Sequence, residues 1–424
     1  MSSHYDVVII GGGMVGASLA MALRNTVLKI AVIEPFPMVE HDDSCQSFQP
    51  SYDSRSTAIS WGSRLIYQQL GLWDTLSQHV TPIKKIHVSD KGRFGATRLK
   101  ANDYNVEALG YVAPNEWIGR TLIAALKANS NVDFICPAKV DDIARTEMSN
   151  CITLIKRNQE TGQFDTKAER QTVTAKLVVI ADGGRSETCQ KLGIEMRTET
   201  YGQHALVTNV TTSNHHDYEA FERFTEDGPI AMLPLGGADN RSNSDCALIW
   251  TLPEDQIVDV MAMPDVEFIA LLQSRFGYRL GKIEHVGTRA HYPLKLTQSV
   301  EQVRAGIVVV GNAAHALHPV AGQGYNLALR GVVALAERVI ETTNKGEDIG
   351  SLSMLQRYEH DRHIDQDKTI LFSDKITRLF GDANAGIGLF RDLGLVGLDI
   401  LPGAKRLFAR QAMGLGGSEA KISS

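Results

Sequence analysis

Short apolar runs that end in glycine set the pattern of this chain. Tyr5-Asp6-Val7-Val8-Ile9-Ile10 stops at Gly11 and predicts a buried parallel strand. Gly16 to Leu23 predicts a helix, and Lys29-Ile30-Ala31-Val32-Ile33 predicts a second strand ending at Glu34. Together they make a βαβ unit. Ser56 to Leu70 reads as a helix, with Ile59, Leu65, Ile66 and Leu70 turned inward, and Glu116 to Ala128 reads as another. Leu177-Val178-Val179-Ile180 is a further buried strand that runs into Ala181-Asp182-Gly183. Elsewhere the period changes. Ile83 to Leu99, and parts of Ala205 to Val210 and Ala247 to Thr251, alternate apolar and polar residues, as antiparallel strands with one covered face do. A strand over Gly306 to Val310 leads into a glycine-rich turn, and after Gly322 the pattern is mainly helical.

Composition narrows the class. With 424 residues, the chain is long enough for two domains or one composite domain. Its 43 Lys and Arg against 49 Asp and Glu give a net charge of −6, with no basic block, so a nucleic-acid partner is not expected. The cysteines, Cys45, Cys136, Cys151, Cys189 and Cys246, are odd in number and scattered. That spacing argues against a disulfide framework and a zinc site, and for a reducing, cytoplasmic setting. The N-terminus enters a strand without a basic start or cleavable apolar core, so no signal peptide is expected. No apolar run reaches the roughly 18 residues of a membrane helix.

Two motifs carry the chemistry. Gly11-Gly12-Gly13-Met14-Val15-Gly16 follows a strand and opens a helix, with an acid, Glu34, about 20 residues on. Gly11 permits the turn, Gly13 lets backbone approach a pyrophosphate, and Gly16 lets helix and strand pack closely. Glu34 can accept both hydroxyl hydrogens of an adenosine ribose and would repel a 2′-phosphate, so the site suits FAD or NAD rather than NADP. The late stretch from Gly311 to Asn326 points to flavin. Asn312 would bond a ribityl hydroxyl or a phosphate. Pro319, Val320, Ala321, Gly322, Gln323, Gly324 and Asn326 would wrap the isoalloxazine, with the helix start offering free N–H groups to a ring that becomes anionic on reduction.

Other residues carry two readings each. Arg55 either pairs with phosphate or makes a local ion pair with Asp53. Asp182, in Ala181-Asp182-Gly183-Gly184-Arg185-Ser186, sits in either a plain turn or a ligand-lining loop, and the buried strand before it favours the loop. His315 and His318 have metal-like spacing but no evident third ligand, which favours packing, and no metal is expected. His215-His216 reads as an exposed pair. Met232, Leu233 and Pro234 line either a substrate site or ordinary strand core. Ile376 to Met413, apolar with Lys405, Arg406 and Arg410 nearby, touches either a membrane surface or other parts of the protein.

Three fingerprints in order, at Gly11–Gly16, Asp182–Ser186 and Gly311–Asn326, resemble those of the class A FAD-dependent aromatic hydroxylases of the para-hydroxybenzoate hydroxylase fold. The resemblance spans nearly the whole chain. Within that group the chain is similar to the ubiquinone-biosynthesis hydroxylases, most of all to those acting on 2-polyprenyl-6-methoxyphenol. Three segments carry this narrower match: His87 to Gly92, Phe221 to Leu235 and Phe276 to Ile283. Departures from the broad pattern are Asn312 for an acid, Cys189 for an arginine, and Gly331 for the acid after Arg330.

The resemblance implies an α/β fold, with a Rossmann-type FAD-binding domain interleaved with a β-rich substrate domain and a helical C-terminal region. The FAD-binding domain is expected over 1–82, 155–190 and 288–345. The substrate domain is expected over 83–115 and 195–287, with a connecting helix and strands over 116–154 and the helical region over 346–424. It gives Glu34 the adenosine ribose, Arg55 and Asp182 the FAD linker, and the Pro319–Asn326 loop the isoalloxazine, with Gly11, Gly13, Met14, Val15, Gly16, Gly311 and Asn312 as further cofactor-binding candidates. The implied activity is hydroxylation of a polyprenylated phenol to the hydroquinone level, through a flavin C4a-hydroperoxide, with NAD(P)H as reductant and O2 as co-substrate. No catalytic side chain is assigned, because the flavin carries the hard step. Implied partners are the polyprenylphenol, other ubiquinone-biosynthesis proteins and a membrane surface at its inner face, with a homo-oligomer allowed. Three alternatives stand beside it: a flavin oxidase or reductase without oxygen insertion, a sister hydroxylase acting at another ring carbon, and a non-catalytic flavin-binding subunit.

Overall fold

A computed structural model describes residues 3–37, 55–91, 96–128, 131–147, 149–157, 164, 170–236, 243–317, 322–381 and 402–415. The apolar runs form the centre of an eight-stranded sheet. Five strands lie parallel in the order β19 (Ile307–Val309), β11 (Arg170–Ile180), β1 (Ser3–Ile10), β2 (Ile30–Ile33) and β8 (Val132–Ile135). They are apolar on both sides because both faces are covered. Helices α1 (Met14–Leu23), α4 (Asn115–Lys127) and α8 (Gln323–Asn344) pack on one face. On the other, β9 (Ala138–Arg145) and β10 (Asn150–Lys156), with residues around α5 (Glu187–Lys191), close a second core.

The alternating segments build a nine-stranded sheet. Its order is β20 (His315–Ala316), β17 (Ala290–Ser299), β12 (Met196–Thr212), β15 (Asp245–Pro253), β14 (Pro229–Pro234), β13 (Glu219–Phe224), β5 (Lys85–Asp90) and β6 (Ala96–Lys100), with β16 (Ile283–Val286) beside β12. The pairing is antiparallel except for β13 with β5, which is parallel. Helices α6 (Glu254–Ala262) and α7 (Asp265–Phe276) back one face around Trp250, Phe268 and Met232. A third, small sheet joins β3 (Ser56–Ser60), β7 (Gly110–Pro114) and β4 (Thr81–Ile83). Helices α9 (Leu352–Gly381) and α10 (Pro402–Ala412) follow α8.

Several local expectations give way. The helix expected from Ser56 begins only at Trp61, as α2 (Trp61–Gln69). Ser56–Ser60 pairs with β7 instead, and the Ser60 hydroxyl caps the helix by accepting from the Ser63 N–H. His216 is 2% exposed, not a surface residue: its Nε2 lies 2.8 Å from the Leu235 carbonyl. Strand membership also differs from the expected boundaries. β8, β9 and all but the last two residues of β10 fall in the 116–154 connection but complete the nucleotide sheet, whereas β17 lies in the stretch assigned to the FAD domain but pairs with β12. Long-range pairing decides these memberships, and local pattern does not encode it.

Candidate active site

Three glycine-bearing turns meet at the carboxyl ends of β1, β11 and β19. Gly11 has φ of +103°, a conformation that side chains avoid, and a Cβ there would lie 2.5 Å from the Ala181 carbonyl oxygen. At Gly16 a Cβ would meet the Gly11 oxygen at 2.0 Å and Ile9 at 3.1 Å, so glycine alone lets α1 start so close to β1. The contacts continue between motifs. A Cβ on Gly311 would lie 2.9 Å from Val15, and one on Gly184 would lie 3.2 Å from Ala316 and 3.8 Å from the Asn312 oxygen. The three fingerprints thus form one rim, at the end of a parallel sheet where nucleotides bind.

The donor set fits FAD. Gly13 begins α1 with no side-chain cap, and the first turn holds no acid, so its N–H groups and dipole are available to a pyrophosphate. Glu34 is buried at the end of β2. Its Oε2 accepts from the Gly12 N–H at 2.7 Å and its Oε1 from the Phe36 N–H at 3.2 Å. Burial nevertheless holds its pKa above the usual carboxylate value, against the lowering effect of those two bonds. Ribose hydroxyls would give this carboxylate the further donors it lacks. Asp182 takes the Thr188 N–H on Oδ2 at 3.3 Å, while its buried Oδ1 has no donor. A ligand hydroxyl there would satisfy it. Asn312 is exposed beside this loop, and Met14 borders the first turn, its carbonyl accepting from the Ser18 hydroxyl at 2.6 Å.

The start of α8 is locked to β3. Gly322, in the left-handed region, caps α8 without a side-chain bond, and a Cβ there would press on Ala58 at 3.1 Å. Asn326 is buried, and its amide spans both elements. Its Oδ1 accepts from the Ser60 N–H and the Ser63 hydroxyl, and its Nδ2 donates to the Ala58 and Gly322 carbonyls. Every polar group of that side chain is therefore committed within the protein, which makes it the strut between β3 and the start of α8. Gln323 is buried, and Gly324 sits against Leu317. Pro319, Val320, Ala321 and His318 lie outside the described residues. Arg55 heads β3 rather than a helix, with its guanidinium 5.1 Å from the ring centre of Tyr292 on β17.

Behind the late motif, His315 is buried and its pKa falls to about 4, chiefly by desolvation, so the ring is neutral. Its nitrogens find no partner of good geometry, Gln366 being the polar neighbour. Among the described residues no group of three or more His, Cys, Asp or Glu could hold a metal ion. Arg330 lacks an acid at the next position but finds one in space. Its Nε donates to Asp365 of α9 at 3.0 Å, and Arg362 bonds the same carboxylate.

The other face of the nine-stranded sheet packs, around β13 and β14, against the small sheet of β3, β7 and β4. Met232 points away from it, into the core under α6 and α7, so strand packing accounts for it. Pro234 is buried at the end of the same strand. Leu233 lies on the opposite face and packs with Ile83, Val112 and Ala220. Val112 pairs with Ala58, which touches Gly322, so this face is turned towards the flavin loop. Glu222 occupies the same face, paired with Ala231 and Val88. It lies deep in the fold and is half-buried. Desolvation raises its pKa to about 7. In the sequence Glu222 stands out only as part of the Phe221–Leu235 segment that carries the resemblance, with no role of its own.

Comparison with known proteins agrees with this architecture. The model of the FAD binding domain family matches residues 4–373. A ubiquinone hydroxylase, UbiL, of Rhodospirillum rubrum is 35% identical over 96% of this chain and 89% of its own length. The 3-demethoxyubiquinol 3-hydroxylase of Escherichia coli is 29% identical over 97% and 98%. The crystal structure of p-nitrophenol 4-monooxygenase PnpA from Pseudomonas putida superposes with a TM-score of 0.76 at 19% identity, covering 99% of this chain and 100% of that one. The chain is an enzyme that belongs to the FAD-dependent ubiquinone hydroxylase family of flavoprotein monooxygenases.

Proposed function

We propose that the protein hydroxylates the aromatic ring of a polyprenylated phenol in ubiquinone biosynthesis, with 2-polyprenyl-6-methoxyphenol as substrate. The observation that carries the reading is the apolar sheet face opposite the flavin rim, interrupted by the Glu222 carboxyl. The relatives named ubiquinone hydroxylases support the substrate class. Bound FAD, reduced by NAD(P)H, supplies the activation of O2. The chain's part is to hold the ring, exclude water and manage one proton. Leu233, partly buried against Ile83, Val112 and Ala220, offers apolar surface to the phenol. Glu222, ionised above about pH 7, accepts the hydrogen bond of the phenol hydroxyl, which makes the ring more electron-rich. A prenyl tail partitions into lipid, and the exposed Arg406, Leu407 and Arg410 of α10 are the surface we assign to the bilayer.

The test is turnover under labelled O2 with polyprenylphenols of defined substitution. One labelled atom in the phenolic product supports the reading. Peroxide without labelled product points to an oxidase, and no turnover with any donor points to a non-catalytic subunit. Mass spectrometry of the intermediates left when the gene is deleted fixes the ring position. Accumulation of 2-polyprenylphenol instead of its 6-methoxy derivative would assign the protein to a sister step.

A further inference from the structure

The three segments that carry the ubiquinone-branch resemblance come together away from the flavin rim, on the helix-backed face of the nine-stranded sheet. Strand β5 brings His87 and β13 brings Arg223, in adjacent parallel strands where Phe221 lies opposite His87. Arg98 of β6 pairs across from His87, and Arg279 follows α7. The guanidinium of Arg223 lies 3.8 Å or more from where a Cβ on Gly277 would stand, so the chain after α7 passes close over it. His87 is 2% exposed and forms the floor, Arg223 is half-buried, and Arg98 and Arg279 are exposed at the edge.

Orphaned donors predominate here, with Asp90 Oδ2 the one buried acceptor beside them that takes no hydrogen bond among the described residues. Arg279 Nη1 lies 3.3 Å from His87 Nδ1. A guanidinium only donates, so Nδ1 is the acceptor and the ring proton sits on Nε2. That Nε2–H is buried and meets no acceptor, and neither does the Nε–H of Arg223. Two carboxylates adjoin the cluster. Glu219 lies 3.9 Å from His87 Nδ1, and Asp90 acts on Arg223 through its charge. Glu219 forms no ion pair with Arg98, Arg223 or Arg279 among the described residues. By contrast, Lys91 and Arg275 nearby are matched by Glu226 and Asp227. Burial and the three arginines keep His87 neutral, so it donates at Nε2 without adding another positive charge.

We propose that His87, Arg98, Arg223 and Arg279 form a binding site for a phosphate-bearing anion. Such a group brings only acceptors in multiple directions, which is what two orphaned donors and three clustered guanidiniums lack. Two sources share this chemistry, free pyrophosphate and the diphosphate of a nicotinamide dinucleotide. The chain has no second glycine-rich nucleotide fingerprint, so a surface anion site of this kind would hold a dinucleotide transiently.

The FAD-loaded protein is titrated calorimetrically with inorganic pyrophosphate at low ionic strength, and separately with NADPH and NADH. Saturable pyrophosphate binding is expected, weakened at least tenfold in Arg223→Gln and in Arg279→Gln, with the flavin spectrum unchanged. Arg98→Gln, at an exposed strand position, should weaken it several-fold even if the inner variants fold poorly. Competition between pyrophosphate and a dinucleotide identifies the dinucleotide as the source, and pyrophosphate binding without competition identifies a free phosphate. No saturable binding to the native protein, or equal binding by native protein and Arg98→Gln, overturns the proposal.

Discussion

At the scale of single residues, burial decides what each carboxylate can do. Glu34 is held by two backbone N–H groups beside the first glycine turn, and the ribose would complete its shell. Glu34→Ala should release FAD at least tenfold more readily on gel filtration, and full retention would refute the ribose role. Glu222 has no such bonds, and its pKa rises to about 7 because burial penalises the charge. Its ionisation should therefore appear as the acid limb of kcat for hydroxylation, with half-maximal activity near pH 7. Glu222→Gln should flatten that limb and lower product yield while FAD remains bound. A stability consequence follows with a definite sign. The folded pKa exceeds the unfolded one, so the Glu222 contribution is fullest below about pH 4.5 and is lost as pH rises through 7. Glu222→Gln should therefore gain about 2 kcal/mol over native protein at pH 8, allowing for its partial water contact, and nothing at pH 4. Denaturant unfolding at the two pH values reads this difference.

At the scale of elements, the start of α8 depends on a joint with β3. Asn326 bonds the Ser60 N–H and the Ser63 hydroxyl on one side and the Ala58 and Gly322 carbonyls on the other. Asn326→Leu removes four partners from a buried site and should cost about 3 kcal/mol of unfolding free energy. It should also weaken FAD retention, because the start of α8 loses its register against β3. An unchanged denaturation midpoint would sink this account. A second joint ties α8 to α9 through the buried Arg330–Asp365 pair, with Arg362 on the same carboxylate. Desolvation opposes the ionised Asp365, but the two arginines outweigh it and hold its pKa below the usual value. The stability it adds is present above the unfolded carboxylate pKa and is lost as pH falls through the folded one. Asp365→Asn should cost about 3 kcal/mol at pH 7, since it strands two buried guanidiniums, and less at pH 3.

At the scale of the molecule, the two large sheets are built from alternating stretches of chain, and α10 returns to pack against β6 and the start of α2. Ala409 and Met413 are buried against Leu99, Ala101 and Leu109. The Gly62 N–H donates to the Met413 carbonyl at 2.8 Å. Ending the chain at residue 401 should cost about 3 kcal/mol from the lost apolar burial. The opposite side of α10 carries Leu407, 73% exposed. Leu407→Asp should leave stability unchanged and reduce sedimentation with anionic lipid vesicles. Equal sedimentation would remove the bilayer contact. Among the described residues no helix is long and apolar enough to cross a membrane.

The turns that meet at the rim were legible in the sequence because their constraints are local. A strand must end, a turn must have no side chain, and an acid must follow the second strand, whatever the rest of the chain does. Gly11, Gly16 and Glu34 could therefore be placed from spacing alone, and the C-terminal helices from their period. Pairing partners far apart in sequence leave no such mark. Ser56–Ser60 became a strand because β7 was available to it, and β17 joined the nine-stranded sheet because β12 is long enough to carry it. Both faces of β13 are covered, so alternation could not tell which side Glu222 would take. The acid expected beside Arg330 arrives from α9, 35 positions later. The single chain determined which ligand its turns would cradle. Only the tertiary structure decided what stands opposite that ligand, because the environment of a buried charge is set by neighbours that sequence distance does not reveal.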